Sequence, residues 1–223
     1  MSHDEPTDNV DGIEAYVQAL VAAGYDDRQT IIECGRDYLV DEGGEDAAPL
    51  PLPVLVDRLI ASQIAAQQSW PQVTDCDRLD TAFTKLEASG IVARQNFACC
   101  QTCGFAEIGA EVDDVTDAGG TVRGITFFHQ QDTEGAVAGH SLHLSYGAMD
   151  DKGDACVIAR DVVAALNREG LQANWDGTSA QRIEVVLNWQ RRFPATSVIA
   201  PHIDPVTGKR DLWTLFGLRR PKR

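Results

Sequence analysis

Three cysteines, Cys99, Cys100 and Cys103, crowd into the peptide NFACCQTCGFAEI. Cys100 and Cys103 form a CxxC pair, the usual way for one turn to supply two of the four Cys or His ligands of a Zn²⁺ ion. Cys99, Cys76 and His129 are candidates for the remaining positions, with His140 and His143 behind them. No second CxxC or HxxxH follows, so any further ligands must come singly. His140 and His143 form an HxxH in or near a strand, where the period of two points the rings to opposite faces, so they do not serve as a pair.

The CxxC falls after a predicted strand and at the opening of a predicted helix, which supports a second chemistry. The unpaired amides and positive dipole end of a helix stabilise a thiolate, lower its pKa and raise its reactivity. Cys100 and Cys103 can on that logic act as a thiol-dependent redox pair. The chain has no proline between Pro71 and Pro194, so it lacks the cis-proline loop that thioredoxin folds place opposite their cysteines. A third reading needs no chemistry, because free cysteine is among the most buried residue types and packs as a small apolar group. Cys34 and Cys156 lie beside apolar helical faces and are expected to be buried packing residues.

A second constellation is FFHQQDTE, where His129, Gln130, Gln131, Asp132 and Glu134 end an apolar stretch. Polar residues at a strand end commonly rim a site in α/β sheets, and a histidine beside an acid can act as a base with its orienting partner. The plainer expectation is that Asp132 or Thr133 caps the next helix, with His129 at its approach. Tyr146 before Gly147, and Trp175 in NWDG, are further site candidates whose ordinary roles are packing and turn chemistry. No GxSxG, P-loop or GxGxxG is present, which removes serine hydrolase, NTPase and Rossmann dehydrogenase readings.

The elements that must position these residues are legible from periodicity. Val10, Ile13, Val17, Leu20 and Val21 recur at helical spacing before Gly24, and Asp26 or Asp27 can cap a second helix carrying Ile31, Ile32, Tyr38 and Leu39. An acidic, proline-rich linker spans residues 41–52. Pro53 suits the first turn of a third helix running towards Trp70, and Asp75 or Asp77 caps a fourth that ends at Gly90. Beyond Gly90 extended and helical stretches alternate. Strands are expected over 91–97, 122–129 and 141–146, with a closing pair over 171–175 and 182–187. Helices are expected over 103–115 and from Cys156 to Leu166, and a turn or two over 132–138. The fold class is therefore α/β or α+β: a mixed sheet of about four or five strands flanked by helices, with a helical N-terminal part. Residues 1–70 form that helical part with its linker, 71–193 the main α/β domain, and 194–223 a loop-rich extension from which Leu212, Trp213, Leu215 and Phe216 should pack back.

At 223 residues the chain can bury a sizeable core, and its 24 % charged and 43 % hydrophobic residues are an ordinary globular mixture. The net charge of -15 sets up a field that repels phosphate backbones and anionic lipid surfaces, so neither nucleic acid nor membrane is an expected partner. The basic cluster Arg219, Arg220, Lys222 and Arg223 runs against that balance and is read as a solvated tail. The N-terminal MSHDEPTDNVDG has no basic region or apolar core of a secretory signal, and no apolar run approaches the ~20 residues of a membrane span. A cytoplasmic location is expected, where six cysteines are thiols, ligands or redox groups rather than structural disulfides.

The motifs NFACCQTCG, FFHQQDTE, SYGA and NWDG, in this order and spacing, resemble a bacterial protein family known only as a domain of unknown function. The likeness covers roughly Trp70 to Trp189, with the N-terminal helices a looser match. It implies a bacterial cytoplasmic protein and a shared site around Cys99, Cys100, Cys103, His129, Gln131, Asp132, Tyr146 and Trp175, but no reaction. Three expectations stand side by side. The preferred one is a binding or regulatory protein, with a protein or small-molecule partner, whose cysteine turn is structured by zinc. The others are a thiol-dependent enzyme using Cys100 and Cys103, and an acidic interaction module with inert cysteines.

Overall fold

The computed structural model describes residues 7–43, 51–149 and 153–193, with the backbone of 202–203 and 210–211. The chain divides into two compact units, residues 1–70 with 191–223, and Pro71–Gln190.

The first unit is built from three helices, α1 (Thr7–Ala23), α2 (Arg28–Gly43) and α3 (Leu52–Gln67), each packed on the other two. Asp27 caps α2 by accepting from the Thr30 amide at 2.8 Å, and Pro51 and Pro53 flank the start of α3 as their fixed φ favours. Ile13, Val17 and Val21 of α1 bury against Ile31 and Ile32 of α2, Leu52 and Val56 of α3, and Phe193. Arg191, also in this unit, lies over the Tyr25 ring at 4.4 Å. The acidic linker begins later than periodicity suggested, because α2 continues through Asp41 to Gly43, and its residues 44–50 lie outside the described residues. So do Leu212, Trp213, Leu215, Phe216 and the basic tail. Two short strands, β6 (His202–Ile203) and β7 (Arg210–Asp211), pair antiparallel within the extension.

The second unit is a five-stranded mixed sheet in the order β1-β2-β3-β5-β4. Its strands are β1 (Ile91–Arg94), β2 (Gly124–Phe127), β3 (Leu142–Ala148), β4 (Gln172–Asn174) and β5 (Ile183–Val186). β1 and β2 run parallel, joined by helix α5 (Gln101–Asp117), and the other pairings are antiparallel. Helices α4 (Asp75–Ala88) and α7 (Ala155–Arg168) pack on each other and on β1 and β3, while α6 (Gln130–Val137) packs on β3. The two faces follow from the period of two along β2. A Cβ on Gly124 would stand 2.5 Å from Ile158 of α7, whereas Phe127, of opposite parity, meets Phe105 of α5. Seven helices and this sheet, among the described residues, make the expected mixed α/β fold with a helical N-terminal part.

Caps and turns explain the boundaries that moved. Thr74, rather than either aspartate, is the N-cap of α4, and Asp77 completes a capping box at the third helical position. β1 stops at Arg94 because Asn96 and Ala98 take left-handed backbone angles, φ 50° and 57°, which break the pleat. The buried face of α7 is Ile158, Ala159, Val162, Ala165 and Leu166. Cys156 lies off that stripe in the first turn and is half-buried, as is Cys34, so neither is the fully buried packing residue expected. No helix among the described residues is long and apolar enough to cross a membrane.

Candidate metal centre

Because β1 and β2 are parallel and in register from Ile91 opposite Gly124 to Arg94 opposite Phe127, both deliver their C-terminal loops to the same edge of the sheet. The loops are tied to each other by main-chain bonds: the Phe97 amide donates to the Phe128 carbonyl at 2.8 Å and the Gln130 amide to the Ala98 carbonyl at 3.1 Å. Thr133 adds a side-chain link, its hydroxyl donating to Oδ1 of Asn96 at 2.8 Å. Helices α5 and α6 therefore open side by side, and Cys99, Cys100 and Cys103 share this edge with the FFHQQDTE residues.

The cysteines sit on the first of these loops. Cys100 is the N-cap of α5 in extended conformation, and the Gly104 amide donates to its carbonyl at 2.9 Å as the first helical bond. The candidate ligand sulfurs of Cys99, Cys100 and Cys103 all lie within 4.8 Å of one another. Cys99 is exposed and the other two are half-buried. The Cys100 sulfur makes no formal cap bond, yet the Cys103 amide, then the Cys103 thiol, approach it closely enough to hold its pKa below the ordinary thiol value. Cys103 goes the other way, to about 12, because its thiol proton is shared first with Cys99 and then with Cys100. One turn thus carries a thiol that ionises early and a neighbour that keeps its proton.

What holds α5 in place is a close approach and a buried ion pair. A Cβ at Gly104 would stand 2.3 Å from the Phe127 ring, so only glycine lets the helix lie this near β2. Arg94, 5 % exposed at the end of β1, donates to Glu111 of α5 at 2.8 Å and to Glu87 of α4. Burial pushes the Glu111 carboxyl above its usual range, and Arg94 opposes that shift. Neither Gly104 nor Arg94 was singled out from sequence. A glycine inside a helical pattern, costing about 1 kcal/mol against alanine, was the available signal for the first.

The second loop places His129 as the N-cap of α6, in a capping box with Asp132, rather than Asp132 or Thr133 as cap. The reason is reach: Nδ1 sits on Cγ, like an asparagine or aspartate oxygen, and accepts from the Asp132 amide at 3.3 Å. The Asp132 carboxylate in turn accepts from the His129 amide at 3.1 Å, and His129 Nε2 stands 3.0 Å from Asp132 Oδ2. A neutral imidazole protonated on Nε2 satisfies both contacts. Burial, helped by Arg182 and opposed by Asp132, holds the His129 pKa below the ordinary value. Arg182, which sequence reasoning missed, clamps Asp132 and donates to the His143 carbonyl.

The other sequence candidates are placed elsewhere. Cys76 is buried in the first turn of α4, and neither it nor His129 belongs to the group of close ligand atoms. Gln131 is exposed on the first turn of α6. Tyr146 and Trp175 form their own cluster: the rings meet edge to face at 5.9 Å, the indole N–H donates to the Tyr146 oxygen at 3.0 Å, and that hydroxyl faces the Thr178 and Gln181 carbonyls at 2.9 and 2.8 Å. This pins the DGTSAQ turn between β4 and β5.

The fold and the cysteine turn define a mixed α/β protein with three thiols at the C-terminal edge of two parallel strands. The chain belongs to a family described as Domain of unknown function (DUF6891), whose model matches residues 6–193. No curated protein and no solved structure matches it.

Proposed function

We propose that this chain is a cytoplasmic binding or regulatory protein whose cysteine turn holds a zinc ion through Cys99, Cys100 and Cys103, with a protein or small molecule as its partner. The observation that carries the reading is the convergence of three sulfurs within 4.8 Å on one turn. Sulfurs of a tetrahedral site with ~2.3 Å bonds stand about 3.8 Å apart, so a small closing of the turn suffices. The start of α5 favours the thiolate form of Cys100, while Cys103 must give up a firmly held proton when the ion binds. Metal analysis of the full chain, purified without a histidine tag or chelator, is expected to return about one zinc per chain, lost in Cys100→Ser. A wild-type protein that is metal-free and does not take up added zinc refutes it.

The opposed pKa values of Cys100 and Cys103 favour a second reading, a thiol-dependent redox pair. There the Cys100 thiolate attacks a substrate disulfide, forming a mixed disulfide and releasing one thiolate, and Cys103 then closes the Cys100–Cys103 bond and releases the other.

A further inference from the structure

A structural zinc site ordinarily draws its ligands from separate segments and so ties them together. Here Cys99, Cys100 and Cys103 all come from a single turn, and an ion bound to them would cross-link nothing distant in the chain. Such an ion has little to do for the fold. Its outer side is also open: Cys99 is exposed, and Cys100 and Cys103 are only half-buried.

The residues best suited by type to close the site are engaged otherwise. Both ring nitrogens of His129 face Asp132, Nδ1 at its amide and Nε2 at its carboxylate, at 3.3 and 3.0 Å. Cys76 is 1 % exposed in the first turn of α4. Three protein ligands with a fourth position left to an incoming group is the arrangement of zinc sites that bind or activate something rather than brace a fold.

Resting on the metal reading above, we infer that an ion on this turn keeps its fourth position for an exogenous thiol, which it takes as the thiolate. Three thiolates select soft or borderline ions, and such ions prefer a further soft donor to water. A thiol bound to such a cation is deprotonated outright. The charge of a fourth thiolate is partly offset by the N-terminus of α5, which opens at Cys100 with no acidic residue in its first turn, whereas the start of α6 is already occupied by the Asp132 carboxylate. In the step itself the incoming S–H gives its proton to solvent, its sulfur bonds the ion, and the water that held the position leaves. No electrons change hands.

The test uses the full chain, kept reduced with a phosphine, loaded with Co²⁺ and titrated with 2-mercaptoethanol. Sulfur-to-cobalt charge-transfer absorption should rise saturably by about a third, four thiolates in place of three. About one proton should be released per thiol bound. Cys156→Ser, whose thiol lies outside the group, should respond like the wild type. Cobalt–thiolate absorption that 2-mercaptoethanol leaves unchanged means a closed site and overturns the inference while the metal reading stands. Cobalt stripped into solution by the thiol overturns it as well. Absence of any cobalt–thiolate absorption sinks the metal reading, and the inference with it.

Discussion

Arg182 grips Asp132 with both terminal nitrogens, Nη1 to Oδ1 at 3.0 Å and Nη2 to Oδ2 at 2.6 Å. The carboxylate is 8 % exposed and also serves the α6 capping box, so one side chain anchors the start of a helix to the residue just before β5. Replacing Asp132 by Ala removes the cap acceptor and leaves the guanidinium without its counter-charge. The expected loss is about 3 kcal/mol of unfolding free energy, with Asp132→Asn losing less because it keeps an acceptor. Urea unfolding of the two variants beside the wild type decides it; equal, negligible losses would show that the clamp contributes nothing.

His129 gives the protein a pH dependence of definite sign. Its pKa in the folded protein is lowered, chiefly by burial, so the unfolded chain binds the proton more tightly. The stability from this group is present above the unfolded value of ~6.5 and is lost as pH falls from there towards the folded pKa. In His129→Asn, which retains an N-cap acceptor, that part of the acid sensitivity should vanish. Urea midpoints compared between about pH 7.5 and about pH 5.5 read the difference; parallel curves for the two proteins would refute the assignment.

The cysteine turn should label in a fixed order. In metal-free protein Cys100 is expected to alkylate first, at a pH below the ordinary thiol range, and Cys103 last, since its proton is held up to about 12. Mass spectrometry of peptides after a pH series of iodoacetamide pulses shows the order. If the redox reading holds, Cys103→Ser folds normally and traps a mixed disulfide on Cys100, because the resolving thiol is gone. No trapped species with small disulfides at any pH removes that reading.

Gly104→Ala tests how tightly the turn is held. The added methyl would meet the Phe127 ring at 2.3 Å, and α5 must move off β2 to admit it. Overpacking of this kind costs roughly 1–3 kcal/mol, against the gain of about 1 kcal/mol that alanine brings in a helix interior. A net loss of stability is expected, with the alkylation rates of Cys100 and Cys103 changed, since the helix start carries both. A variant as stable as the wild type with unaltered thiol kinetics would show that the contact relaxes freely.

Where the chain's own periodicity decides, the sequence is a good guide to this fold. Ile91, Ile125, Leu142, Leu144 and Ile183 announce their strands by type and parity, and each is buried in the sheet. The cysteine turn was legible because strand, CxxC and helix follow one another locally. The partners that fix its surroundings were not, because they come from far along the chain. Arg182 lies 50 residues from Asp132, and Arg94 lies 17 from Glu111, and nothing in one sequence couples such positions. The His129 cap is hidden in the sequence for a local reason. Aspartate and threonine are the common caps, and whether an imidazole can accept depends on its tautomer, which only the neighbouring Asp132 fixes.

The paired amides of Phe97 and Gln130 give the two loops a mechanical consequence. Each loop is bonded to the other at the point where its own chain leaves the sheet, and Asn96 to Thr133 adds a side-chain rung. Neither can swing alone without breaking a rung, so the cysteine turn and the start of α6 behave as one stiff bracket. A displacement at Cys99 reaches Asp132, and through Arg182 the head of β5, by bonds alone.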